Sequence, residues 1–342
     1  MQSSGTPSKF QLPWANGASS SYIRPIPVAS QIGIQNGAAS LTDGFPPLNF
    51  LPVGSGGVPP FGQDMNGILN QTTANLQWLN AGGMFAYDAT FATAIGGYPA
   101  GCVLKSATTI GLFWINAVDN NTTNPESGGS NWTAYSTIRG QQVFVASGTF
   151  TAPAGVYQFQ ARLWGTGGGG GGSIVGVPAS GKPGYGGGGC GYAEKIITTT
   201  PGTTYTVTIG SGGTAGAASG GNGGNGGVSS FGSILSITGG GGGQGGSVTW
   251  ASRLVGAGGV ATGGDINLSG GAGGGSGTTT EGNVNTGGPG GSGAMGAGPA
   301  TTINTGSFGI DGVFPGGGGG GAGTGANYAG GAGAAGLCIV RW

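Results

Sequence analysis

Gly220-Gly221-Asn222-Gly223-Gly224-Asn225-Gly226-Gly227-Val228 repeats the triplet G-G-X without interruption. The frame recurs in Gly242-Gly243-Gln244-Gly245-Gly246-Ser247 and in Gly270-Gly271-Ala272-Gly273-Gly274-Gly275. With small substitutions it continues from Gly287-Gly288-Pro289 to Gly296-Ala297-Gly298. A period of three belongs to the polyproline-II helix, which makes no internal hydrogen bonds and turns its N–H and C=O groups outward. Collagen needs one glycine per triplet and proline in the other places. Here two of three are glycine and proline is nearly absent, which excludes collagen. Two bare faces suit helices that pack side by side and bond to their neighbours, because any Cβ on an inner face holds the backbones apart. Glycine loses more backbone entropy on folding than other residues, so only a cooperative lattice of backbone hydrogen bonds offsets the cost. At ~3.1 Å per residue, a tract of about nine residues spans about 28 Å.

Of the 89 glycines, 18 lie before residue 140. Such enrichment usually signals low complexity, but short apolar runs frame the tracts. Val143-Phe144-Val145 and residues 156–164, 192–199, 204–209, 234–238 and 337–342 are β-branched or aromatic and partly alternating, the pattern of strands. Pro153-Ala154-Gly155 and Pro201-Gly202 read as turns between them. The expectation is a mainly β chain with one short helix. Its C-terminal domain, 139–342, combines a β-sandwich-like body with packed polyglycine-II helices.

The chain has 342 residues, nine basic and nine acidic, and no histidine. With only 5% charged residues no basic stripe exists to hold phosphates, which argues against nucleic-acid binding. The missing histidine removes the usual general base and metal ligand. Cys102, Cys190 and Cys338 are scattered and odd in number, so they read as small buried hydrophobes rather than a zinc site or disulfide framework. Neither a signal peptide nor a membrane span is expected.

Residues 1–62 are rich in proline, glycine, serine and asparagine, with isolated apolar anchors that include Phe10, Trp14 and Ile23. They read as an extended segment that drapes on a partner chain or on copies of itself. Within 63–83, Met65, Ile68, Leu69, Thr72, Leu76 and Leu79 fall on one helical face, Asp64 suits the helix start, and Gly82-Gly83 ends the run. This helix fits either a short three-fold bundle or a lone helix packed on its own chain. Residues 84–138 read as a small β module. Its Trp114 and Trp132 are either core residues or a carbohydrate platform.

Ile26-Pro27-Val28-Ala29-Ser30-Gln31, Asp43-Gly44-Phe45-Pro46-Pro47 and Gly56-Gly57-Val58-Pro59-Pro60-Phe61-Gly62-Gln63-Asp64-Met65-Asn66-Gly67 resemble the N-terminal part of a bacteriophage tail fibre family. Tyr87-Asp88, Ile95-Gly96-Gly97-Tyr98-Pro99 and Val118-Asp119-Asn120-Asn121-Thr122-Thr123-Asn124-Pro125 continue the likeness over about the first 135 residues. From Phe150-Thr151-Ala152-Pro153-Ala154-Gly155 onward the chain is similar to the glycine-rich domains that end many phage fibres and, in design, to polyglycine-II tip adhesins. The resemblance implies a homotrimeric fibre, made in the host cytoplasm and released by lysis. Its N-terminus joins the tail or baseplate, with Phe10, Trp14, Ile23, Met65, Leu69 and Leu76 as attachment or trimer candidates. Its tip binds a bacterial outer-membrane protein or surface glycan.

Chance G-x-G-x-x-G matches lack the strand–helix context and acidic partner of a dinucleotide site. Asp265 in Gly263-Gly264-Asp265 is a single, incomplete calcium-turn pattern. Beyond residue 140 the acids are Glu194, Asp265, Glu281 and Asp311, and nothing in the sequence pairs two of them as a polysaccharide hydrolase requires. No catalytic residue, cofactor or metal is expected. Recognition remains, through the insertions at 173–185, 248–255, 260–268, 278–286, 299–314 and 327–328. Their Tyr185, Trp250, Leu254, Ile303, Phe308, Ile310, Phe314 and Tyr328 are the receptor-binding candidates, or they cap the slab. The rival readings are a purely structural glycine-rich protein, an ice-binding protein and a polysaccharide-degrading tailspike.

Overall fold

Alternation along the apolar runs builds two antiparallel sheets, and the glycine tracts are the drawn-out connections between their strands. The computed structural model describes residues 7–175, 182–247, 254–278, 285–295 and 307–342. The chain divides into two compact units, Met1–Ala107 with Trp114–Thr133, and Thr108–Phe113 with Ala134–Trp342.

In the first unit, helix α1 (Gly62–Asn80) lies against the N-terminal segment. It does so with its small and polar face. The Trp14 N–H donates to Thr73 Oγ1 at 2.7 Å, Asn70 Nδ2 to the Trp14 carbonyl at 2.6 Å, and Gln77 Nε2 to the Gln11 carbonyl at 2.6 Å. Gly67 is required at the crossing, since a Cβ there would stand 1.9 Å from the Arg24 carbonyl oxygen. The apolar stripe is left outward, with Met65, Leu76 and Leu79 exposed and Leu69 half-buried. A second helix that the periodicity does not announce, α2 (Ala89–Ile95), is set by its ends. Asp88 caps it by accepting from the Phe91 N–H at 2.9 Å, and Gly96 closes it in the left-handed region. Strands β1 (Val103–Lys105), β2 (Leu112–Asn116) and β3 (Trp132–Ser136) form a three-stranded sheet. Its tryptophans are structural. Trp114 is buried and its Nε1 donates to Glu126 at 3.0 Å, while Trp132 packs edge-on against buried Tyr98.

In the second unit, β4 (Gln141–Phe144), β5 (Gly148–Thr151), β6 (Gln158–Trp164), β7 (Tyr192–Thr198) and β8 (Thr204–Thr208) are followed by β9 (Ser229–Phe231) and β10 (Leu235–Ile237). Then come the short β11 (Ala261–Thr262) and β12 (Ile266–Leu268), the paired β13 (Gly277–Thr278) and β14 (Asn285–Thr286), and the last strand β15 (Leu337–Arg341). The sheets run β12-β7-β6-β15-β4 and β11-β10-β9-β8-β5. Their inner faces enclose one core in which Phe150, Phe159, Leu163, Val207, Phe231, Leu235 and Val340 are fully or almost fully buried. Phe150 meets Phe159 edge-on at 4.8 Å and Tyr205 stacks on Phe231 at 5.3 Å. Burial pushes the Cys190 thiol up to about 11 and the Cys338 thiol up to about 12, so both are protonated, apolar fillers.

Among the described residues, the connections β6–β7, β8–β9 and β10–β11 leave the sandwich at one end as one extended tract and come back to it as a second. Residues 165–173 go out from β6 and 183–191 come back to β7. Residues 209–217 and 219–228 do the same for β8 and β9, and 238–247 and 254–260 for β10 and β11. The hydrogen bonds then rotate from neighbour to neighbour with a period of three. Gly167 and Gly170 donate to Ala334 and Gly331, Gly168 and Gly171 to Gly188 and Tyr185, and Gly169 and Gly172 to Gly224 and Gly221, all at 2.8–2.9 Å. The same tract accepts from Gly213 and Gly216, from Gly319 and Ala322, and from Gly240, Gly243 and Gly246. Tract 165–173 therefore sits at the centre of a hexagonal arrangement. Tract 183–191 is enclosed in the same way: its amides donate to residues 316–322, 241–244 and 271–274, and its carbonyls accept from 168–174, 256–259 and 288–294.

The G-G-X frame marks only the periphery. Through Gly167–Gly172 of the first enclosed tract and Gly186–Gly189 of the second, glycine fills all three positions, because a Cβ there would strike a backbone carbonyl. The approach would be 2.0 Å from Gly317 at position 167, 2.1 Å from Gly241 at 168 and 1.9 Å from Thr214 at 169. In the outer tracts X points to solvent and its polar side chains serve lattice amides that lack a backbone partner. Asn225 accepts from Gly242 N–H at 2.8 Å, Asn222 from Gly245 at 2.9 Å and Asp311 from Ala332 at 2.7 Å.

Gly170→Ala places a Cβ 2.0 Å from the Gly320 carbonyl oxygen and is expected to cost at least about 3 kcal/mol by overpacking. Ala257→Ser, at an outward X position, is expected to stay within about 0.5 kcal/mol of the parent. Guanidinium unfolding midpoints of the two variants check this contrast. Neither Cys190 nor Cys338 is expected to react with an aromatic disulfide reagent at pH 8 until the chain is unfolded, because a raised thiol pKa removes the nucleophilic thiolate.

Candidate functional site

The end of the slab remote from the sandwich is where the tracts turn, and backbone groups there need partners outside the lattice. Ser173 ends the first enclosed tract, its N–H donating to the Tyr328 carbonyl at 2.9 Å. Its Oγ in turn accepts from the Tyr328 N–H at 3.0 Å and donates to the Ala326 carbonyl at 3.1 Å. Asn327 Oδ1 accepts from the Val175 N–H at 2.8 Å, and Ile174 and Lys182 close the outgoing and returning chain with reciprocal bonds of 3.0 and 2.8 Å. These contacts hold Tyr328 so that its ring meets Phe308 edge-on, centroids 5.0 Å apart. Tyr328 is half-buried and Phe308 is 63% exposed. For an exposed phenylalanine braced by a fixed tyrosine, part of the ordering cost that a contact surface has to meet is already met.

The other candidates are distributed differently. Leu254 is exposed at the same end, opening tract 254–260 on the opposite side of the enclosed pair. It bonds Gln244 through backbone and side chain. Tyr185 is not in a loop. It belongs to the second enclosed tract, its carbonyl accepts from Gly171, and its half-buried ring lies beside Gly275. Residues 307–314, expected to be loop, run as the outermost tract, with Gly309 and Gly312 bonding Ala329 and Ala332. One glycine in three suffices there because only one side is covered. Ile310 is therefore exposed on the slab's flank, and Phe314 is exposed at the sandwich end, remote from Phe308. Residues 260–268 are also at the sandwich end, as β11 and β12. Trp250 and Ile303 lie outside the described residues.

The acids are occupied in structural roles. Glu194 accepts from Gln160 Nε2 at 2.6 Å and from the Tyr192 hydroxyl, and pairs with Arg162 at 3.4 Å. The Tyr192 hydroxyl is raised by burial first and by Glu194 second, and the hydrogen bond to Tyr192 raises Arg162. Asp265 pairs with Lys195, and its carboxyl is lowered mainly by the Ile196 N–H. Glu281 lies outside the described residues. Among the described residues no cluster of histidine, cysteine and acids is placed to hold a metal, and no helix is long and apolar enough to cross a membrane.

Fold and tip define a β-sandwich that presents a polyglycine-II slab. The glycine-rich domain family model matches residues 143–342, and the chain belongs to that family. No curated protein matches the sequence.

Asn327→Ala removes the acceptor of the Val175 N–H and is expected to cost about 1 kcal/mol. Amide exchange at Val175 should accelerate while that at Gly170, inside the lattice, stays unchanged.

Proposed function

We propose that the protein is a homotrimeric phage tail fibre that joins the particle by its N-terminal unit and adheres to the bacterial surface by the far end of the glycine slab. The observation that carries the proposal is the position of the uncharged Phe308–Tyr328 pair, with Phe308 exposed, on a scaffold held by a lattice of backbone hydrogen bonds. Rigid support beneath irregular aromatic turns is how binding surfaces are commonly built. Assembly into trimers is supported by α1, whose Met65, Leu69, Thr72, Leu76 and Leu79 alternate spacings of four and three, with Met65, Thr72, Leu76 and Leu79 left exposed by their own chain. Adhesion without a catalytic step is the mechanism proposed, toward an outer-membrane protein or glycan. Each tip binds weakly, and several fibres together hold the particle.

Labelled full-length protein applied to a panel of bacterial strains should bind a subset saturably. Phe308→Ala and Tyr328→Ala should weaken that binding about tenfold, or ~1.4 kcal/mol, with the melting temperature kept. Phe314→Ala, at the other end of the slab, should leave it unchanged. Binding indifferent to both tip variants would move the receptor site elsewhere, and no binding to any strain would favour a purely structural slab.

A further inference from the structure

Five asparagines of the chain are followed by glycine: Asn16, Asn36, Asn66, Asn222 and Asn225. A following glycine lets its backbone nitrogen swing toward the asparagine Cγ, because no Cβ stands in the way. Attack on Cγ needs two freedoms. The carboxamide must turn back toward the next amide, and that amide must not be engaged elsewhere. The lattice withholds both from two of the five. Asn222 and Asn225 are held through Oδ1 by the Gly245 and Gly242 N–H groups at 2.9 and 2.8 Å. The Gly223 and Gly226 N–H groups behind them are donated to the Gly243 and Gly240 carbonyls at 2.9 Å. Asn66 lies inside α1, and its carboxamide accepts from Trp14 Nε1 and donates to the Tyr22 carbonyl, both at 3.0 Å. Asn36 accepts from the Gly33 N–H at 3.2 Å, and Gly37 behind it is buried.

Asn16 has both freedoms. With Gly17 it sits in an exposed turn, whose bonds run from the Asn16 N–H to the Pro13 carbonyl at 3.3 Å and from the Ala18 N–H to the Ala15 carbonyl at 3.0 Å. Among the described residues neither the Asn16 carboxamide nor the Gly17 N–H has a hydrogen-bond partner. A Cβ added at Gly17 would meet no atom within 4 Å. We propose that Asn16 is a site of spontaneous covalent modification, with water as the co-reactant. The Gly17 nitrogen bonds to Asn16 Cγ, the Cγ–Nδ2 bond breaks, and the displaced proton passes through solvent to the departing ammonia. This closes a succinimide ring. Water then adds to either ring carbonyl and leaves aspartate or isoaspartate, without any change of oxidation state. Each event lowers the formal net charge of zero by one. The new carboxylate stands two residues from Trp14, which α1 holds through Thr73, Asn66 and Asn70. The site stands whether or not the slab's tip is an adhesin.

The test incubates full-length protein at pH 8 and follows each asparagine by peptide mass mapping, with fragmentation that separates isoaspartate from aspartate. Asn16 should convert to a mixture containing both. Asn222 and Asn225 should convert at least about tenfold more slowly, because attack there requires the lattice to open locally. In guanidinium, where the lattice is gone, that difference should vanish. Gly17→Ala, which the open space around Gly17 accommodates, should slow conversion at Asn16 and keep the melting temperature. Asn16 unchanged in the folded protein would overturn the proposal, as would equal rates at Asn16 and Asn225 before unfolding. A difference that persists in guanidinium would assign the contrast to sequence instead of fold and overturn it too. Aspartate formed without isoaspartate, or a Gly17→Ala rate equal to the parent's, would mark direct hydrolysis and exclude the ring.

Discussion

A polyproline-II helix has no hydrogen bonds of its own, and this deficiency organises the molecule. Each successive amide of tract 165–173 points in a different direction, so each must find a separate neighbour, and the neighbours must lie close enough to exclude every Cβ. Hexagonal packing satisfies both demands, and only glycine permits it. The lattice has no apolar core. Its cohesion is backbone hydrogen bonding, individually modest and collectively able to overcome the entropy of ordering so many glycines.

A lattice of this kind has no register of its own, since every glycine looks like the next. The sandwich supplies it. Strands β6 and β7, β8 and β9, and β10 and β11 are fixed residue against residue by a core of Phe150, Phe159, Phe231, Leu163 and Val340. Each tract therefore leaves its strand in a set phase. At the junction Gly165 lies against Ile237 so closely that a Cβ would fall 2.6 Å from Cγ2. Packed side chains at one end thus position bare backbone along the whole slab, and the turns at the opposite end inherit that order.

Much of this is legible in the sequence. The triplet G-G-X declares the helix type and the framing strands declare the sandwich. Less obvious is that the number of glycines per triplet reports how enclosed a tract is. Uninterrupted glycine at 167–172 and 186–189 marks the centre, G-G-N at 220–227 the edge, and G-X-X at 307–314 the outermost position. That gradation explains why Tyr185 and residues 307–314 belong to tracts rather than loops. Where a tract stands relative to the two ends depends on the direction in which the chain runs, and local sequence does not encode direction, so Phe308 and Phe314 look alike and lie at opposite ends. In the first unit the apolar stripe of α1 is readable, but the burial of Asp64, Gly67 and Thr73 beneath the N-terminal segment is a tertiary choice made by side-chain-to-backbone bonds that periodicity does not carry.

Residue-resolved amide hydrogen exchange tests the lattice most directly. Every amide from Gly167 to Gly172 should be protected to near the global unfolding limit. Along 220–227 protection should follow the triplet: Gly221, Gly223, Gly224, Gly226 and Gly227 donate and exchange slowly, while Asn222 and Asn225 exchange fast. Uniformly fast exchange through the glycine tracts, or protection without the period of three, would contradict the account.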